Sequence, residues 1–120
     1  MVIATLKKTS INELNQLSSA EKESVKELLE YVESQVNAKT IFHGDKARGD
    51  QSIEKSYIDL LIISDEITDE ISKSITKKTK EINKRNDFVI MAVAPANKQF
   101  LEEFHSLRKE IEEIGIIITH

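Results

Sequence analysis

Phe42-His43-Gly44-Asp45-Lys46-Ala47-Arg48-Gly49-Asp50, followed eight residues later by Ile58-Asp59-Leu60, is the stretch on which the reading of this chain turns. Thr40 to His43 is short, apolar and β-branched and runs into Gly44, which predicts a strand ending at a glycine turn. Gly44 to Ser56 is polar and holds two of the three glycines, so it reads as a loop with room for one helical turn. Tyr57 to Ile63 then reads as a second strand. Side chains alternate faces along a strand, so Tyr57, Asp59, Leu61 and Ile63 share one face and Ile58, Leu60 and Ile62 the other. Both faces are mostly apolar, which fits a central strand covered on one side or both. Asp59 is the polar exception.

Outward from this pair the chain alternates. Ser10 with Glu13, and Ser18 with Glu21, have the spacing in which a Ser hydroxyl and a Glu carboxylate satisfy the first N–H groups of a helix. The first precedes a short apolar face of Ile11, Leu14 and Leu17. The second opens a longer helix with Val25, Leu28, Leu29, Val32 and Val36 on one stripe, stopping near Asn37. Ile67, Ile71, Ile75 and Ile82 make a narrow stripe on the charged segment from Asp65 to Lys84, predicting a surface helix. A turn at Asn83 to Asn86 leads to a third strand, Phe88 to Ala94, stopped by Pro95. One last helix, about Ala96 to Ile114, buries Phe100, Phe104, Leu107, Ile111 and Ile114 and ends with Gly115 as its C′ residue. Ile116 to Thr119 is a closing strand. Residues 1 to 9 read as a tail or an added edge strand. The order predicts an α/β (α+β) class: a small mixed four-stranded sheet with helices packed on one face. The domain spans residues 17–120, after an N-terminal tail and short helix at 1–16.

Composition sets bounds on function. The chain has 120 residues, enough for one domain with a single core. Its net charge of −4 argues against adhesion to nucleic acid by bulk charge. It has no Cys, hence no disulfide and no thiolate metal site. No apolar run approaches the ~18 residues of a membrane helix, and the N-terminus lacks a signal-peptide pattern. A cytoplasmic location is the expectation, with no membrane partner.

A glycine turn, a basic loop and a strand carrying an inward carboxylate resemble the signature of the nucleotidyltransferase superfamily of the DNA polymerase β type, in its minimal form. Lys46-Ala47-Arg48-Gly49-Asp50 is similar to the basic run after that family's Gly-Ser turn. Leu107 to Glu110 and Gly115 to Ile118 resemble its closing helix and strand. The resemblance implies transfer of a nucleoside monophosphate from ATP or another NTP to an acceptor hydroxyl. Such transfer needs metal ions that neutralise the triphosphate, and a glycine turn that lets backbone N–H groups approach phosphate. By resemblance, Gly44, Asp45, Lys46 and Arg48 would bind the nucleotide. Asp59 and Asp87 would be the catalytic, metal-holding carboxylates, for Mg²⁺ or Mn²⁺ as suits hard oxygen ligands. Val89 competes with Asp87 for the third-carboxylate position.

Two positions depart from that pattern. Asp45 stands where the family has a small hydroxyl residue, placing a carboxylate among phosphate oxygens. Tyr57 stands where it has the first Asp of an Asp-x-Asp pair. The departures imply an impaired or inactive enzyme, a pseudoenzyme. The alternative is a non-catalytic interaction subunit, such as an antitoxin-like partner of a helical HEPN-type protein in a toxin–antitoxin pair. A homodimer through the N-terminal segment or the last helix is a further candidate assembly.

Other residues carry plainer readings. His43 ends the first strand beside the turn, as a nucleotide contact, a base or a packed strand-end residue. Arg48 serves phosphate or the loop itself. Lys73, Lys77, Lys78, Lys80, Lys84 and Arg85 crowd one segment without interleaved aromatics, which suits a solvated helix face better than a nucleic-acid surface.

Overall fold

The computed structural model describes residues 5–49, 57–86 and 89–120. In chain order the elements are β1 (Lys7–Ser10), a 3-10 turn (Ile11–Glu13), α1 (Ser19–Gln35), β2 (Lys39–His43), α2 (Gly44–Arg48), β3 (Ile58–Ile63), α3 (Asp69–Arg85), β4 (Met91–Ala96), α4 (Lys98–Glu103), α5 (His105–Ile114) and β5 (Ile116–Thr119). The mixed α/β class is as expected, but the sheet has five strands rather than four, in the order β1-β5-β2-β3-β4. The N-terminal segment supplies the fifth: β1 lies parallel to β5, from Lys7 opposite Ile116 to Ser10 opposite Thr119. Of the two readings of residues 1 to 9, the added edge strand is the one this pairing fits. β2 is antiparallel to both β3 and β5, and β3 is parallel to β4.

Helices cover both faces of this sheet, not one. Phe42, Leu60, Ile62, Met91 and Ile118 join α1 residues Val25, Leu28, Leu29 and Val32 and α3 residues Ile75 and Ile82 in the larger core. Ile41, Leu61, Ile63 and Ile117 point the other way and meet Leu101 of α4 and Ile111 of α5. The cause is β3. Its residues are apolar on both faces, so one layer of helices would leave half of them in water.

Local sequence sets the helix starts unevenly. Ser18 and Glu21 form the full capping box: the Ser18 N–H donates to Glu21 Oε1 at 2.8 Å, and the Glu21 N–H to Ser18 Oγ at 3.2 Å. Ser10 has the same spacing to Glu13 but makes no side-chain cap, because only one 3-10 turn follows it. Thr68 caps α3, accepting from the Ile71 N–H at 3.2 Å.

Four expectations near the C-terminus are corrected. Pro95 does not stop the third strand; β4 runs through it to Ala96, with Pro95 opposite Ile62. The Ile58 N–H donates to the Ile90 carbonyl at 2.9 Å and the Ser64 N–H to the Ala96 carbonyl at 3.1 Å. The hydrogen-bonding groups of residues 90, 92, 94 and 96 therefore face β3, and those of 91, 93 and 95 face outward. β4 is an edge strand, so the N–H that Pro95 lacks belongs to the open side and no ladder bond is lost.

The last helix is two helices. Asn97 caps α4 by accepting from the Phe100 N–H at 2.9 Å, and the chain breaks at Phe104 before α5. Phe104 is not part of the buried face; it is 49% exposed and stacks on Phe100. Gly115 ends α5 with an ordinary extended backbone, φ −64°. Its reason is space: a Cβ there would lie 2.6 Å from the Ile111 carbonyl oxygen and 3.2 Å from Ile41 Cγ2. Among the described residues no helix is long and apolar enough to cross a membrane.

Candidate functional site

β2 and β3 are antiparallel, and their register sets His43 directly opposite Asp59. Both side chains lie on the face covered by α5. The next residue, Gly44, turns the chain into α2 with φ +85°, a conformation that L side chains avoid. Space excludes a side chain as well. A Cβ on Gly44 would collide with the Asp59 carboxylate and sit 3.0 Å from its Cγ. The carboxylate of β3 thus rests against the bare backbone of the turn after β2.

Other charged side chains complete the cluster. Glu110, on α5, accepts from His43 through Nδ1 and Oε2 at 2.9 Å. Arg48, from the last turn of α2, donates to Asp45 Oδ1 at 3.1 Å and lies 3.9 Å from Glu110 Oε1. Burial holds the Asp59 carboxyl above the ordinary aspartate range; His43 opposes that shift, and the Glu110 and Asp45 carboxylates add to it. Among the described residues no salt bridge includes Asp59.

On its other side Asp59 neighbours Ala92 of β4. Ala92 and Ala94 are exposed, and Tyr57 and Ile90 at the end of the same face are 55% and 44% exposed. α5 lies over β2 and β5, through Ile111 against Ile41 and Ile117, so among the described residues no helix covers the sheet beside Asp59. Small alanines floor it.

Gly44, Asp45, Arg48 and Asp59 are thus gathered at one end of β2 and β3. Lys46 is not. Its ammonium pairs with Glu21 at the start of α1, and with the Gln16 amide, which donates to the Ala47 carbonyl at 3.1 Å, it fastens α2 to the opposite layer. Asp87 lies outside the described residues. Its alternative, Val89, is buried in the larger core, on the side of the sheet away from Asp59. Among the described residues no group of three or more His, Asp or Glu is placed to hold a metal ion. Asp45 and Glu110 are engaged by Arg48 and His43, so among the described residues of this site Asp59 is the one carboxylate without an ion pair.

Sequence reasoning missed Glu110. It lies three residues after Leu107 and one before Ile111, so the α5 stripe already put it at the edge of the buried face. On the basic segment of α3, Lys73, Lys77, Lys80 and Lys84 are exposed, while Lys78 and Arg85 both pair with Glu27 of α1, Lys78 at 3.4 Å. Lys78 also lies 5.6 Å from the centroid of the Tyr31 ring. Comparison with protein-family models gives no match, and comparison with curated proteins gives none.

Proposed function

We propose that this chain is a nucleotidyltransferase-like domain in which transfer of a nucleoside monophosphate from an NTP to an acceptor hydroxyl is impaired. One observation carries the reading: a glycine turn with left-handed φ at the end of β2 touches the carboxylate of the next strand, Asp59, beside an uncovered stretch of sheet. A flat ligand lying on Ala92 and Ala94 would present phosphates toward Gly44 and the Arg48 guanidinium. The same residues account for the impairment. Tyr57 stands on the face of β3 where a second carboxylate is needed. Asp45 and Glu110 repel phosphate unless a cation intervenes. The described residues do not complete a centre for Mg²⁺ or Mn²⁺, the cations this chemistry uses. ATP or another NTP is the proposed substrate and the cytoplasm the proposed location.

A second reading draws on the exposure of Tyr57 and Ile90 beside the alanine floor. An uncovered apolar face suits a non-catalytic subunit, antitoxin-like, that docks a helical HEPN-type partner there. The two readings separate in one assay. The natural chain and a Tyr57→Asp, Asp45→Ser variant are incubated with α-labelled ATP, Mg²⁺ or Mn²⁺, and a cell extract as acceptor source. The proposal expects little or no label from the natural chain and clear transfer by the variant, lost again on Asp59→Ala. Silence from both chains, with no nucleotide bound by either, would overturn it in favour of the interaction reading.

A further inference from the structure

β4 is the open edge of the sheet and carries no charge: Met91, Ala92, Val93, Ala94, Pro95 and Ala96. An uncharged edge strand is a template for pairing with another chain. The opposite edge, β1, carries Lys7 and Lys8, both exposed, and lysine on an edge opposes such pairing. β4 has no lysine, yet two of its three outward positions are blocked by other means. The Asn83 carboxamide, from the last turns of α3, donates through Nδ2 to the Met91 carbonyl at 3.0 Å. Through Oδ1 it accepts the Met91 N–H at 2.9 Å. A carboxamide offers one donor and one acceptor side by side, the same pair that a neighbouring strand offers at alternate residues. Pro95 has no N–H to offer. Val93, between them, is the one outward position of β4 left with both groups to give, and one residue does not anchor a strand.

We propose that Asn83 is a strand mimic that closes the β4 edge, and that the surface it closes fits β4 of a second copy of this chain. An outward edge paired antiparallel about a two-fold axis is self-complementary, and β4 has no like charges to set against each other. The inference does not depend on the nucleotide reading; it concerns the far side of β4 from Asp59.

The test combines hydrogen exchange with sedimentation. In the natural chain the Met91 amide should exchange at least about tenfold more slowly than the Val93 amide, the factor expected for one hydrogen bond of ordinary net strength. The natural chain should sediment as a monomer. An Asn83→Ala, Pro95→Val variant should form a dimer with rising concentration and gain protection at Val93. Equal exchange of Met91 and Val93 in the natural chain would overturn the proposal even where the variant fails to fold. So would a folded variant that stays monomeric, or a natural chain already dimeric with Val93 protected.

Discussion

Gly44 and Asp59 depend on each other through one contact. Gly44→Ala meets two penalties, a left-handed φ worth about 1–2 kcal/mol for an L residue and a collision with the Asp59 carboxylate. We expect a total loss of about 3 kcal/mol, in the range of strained backbone and overpacked sites. Made in an Asp59→Ala background, the same substitution should cost less, the backbone part plus the tight contact that remains with the Asp59 Cβ at 3.2 Å. A urea double-mutant cycle reads the difference, and additive single effects would refute the contact. Asp59 also carries a pH signature. Its folded pKa is raised by burial, with His43 opposing and Glu110 and Asp45 adding to it. The native state therefore holds the proton more tightly than the unfolded chain. Stability from this residue is fully present below the ordinary aspartate range and is lost as pH rises through the folded value. Asp59→Asn should stabilise the protein at neutral pH, with an advantage that shrinks toward acid. Urea unfolding over a pH series measures it, and a pH-independent difference would contradict the sign.

Elements show which parts of the fold were legible in sequence. The capping box at Ser18 was readable because everything it needs lies within four residues and a 17-residue helix follows. Ser18→Ala should cost about 1 kcal/mol, whereas Ser10→Ala, at a position with the same spacing and no cap bond, should be close to neutral. Paired thermal melts of the two variants check this, and equal losses would mean that spacing alone decides. The residues that escaped a sequence reading are set by distant neighbours. Pro95 is tolerable only because β4 is an edge, and edge position is not encoded near residue 95. The α4–α5 break is hidden because Phe104 continues the apolar period of the segment yet stacks outside the core. Glu110 enters the site from α5, more than 50 residues after Asp59, so no motif window around the glycine turn contains it. The sequence periodicity of β3, by contrast, already placed Asp59 alone among apolar residues on its face, and Gly44 was marked by the strand it ends.

The two helical layers are unequal across the whole molecule, and the site sits on the weaker one. α1 and α3 have 17 residues each and bury a row of side chains against the sheet. α4 and α5 have 6 and 10 residues, with Leu101 and Ile111 as their buried side chains. Local opening follows the apolar contact that must be broken, so the α4–α5 layer should open first, hinged near Phe104 and Gly115. Native-state hydrogen exchange should find α5 amides less protected than those of α1 and α3. Ile111→Ala, a core truncation of the kind that costs about 2–5 kcal/mol, should widen that gap without speeding exchange in α1. Because Glu110 adjoins Ile111, the same opening takes its carboxylate away from His43 and from Asp59. With one raising carboxylate withdrawn and the burial relieved, Asp59 should titrate closer to the ordinary aspartate range in Ile111→Ala than in the natural chain. Carboxyl-detected NMR titration of both proteins reads that movement. Identical Asp59 titration alongside a loosened α5 would mean that the site's electrostatics are set by β2 and β3 alone.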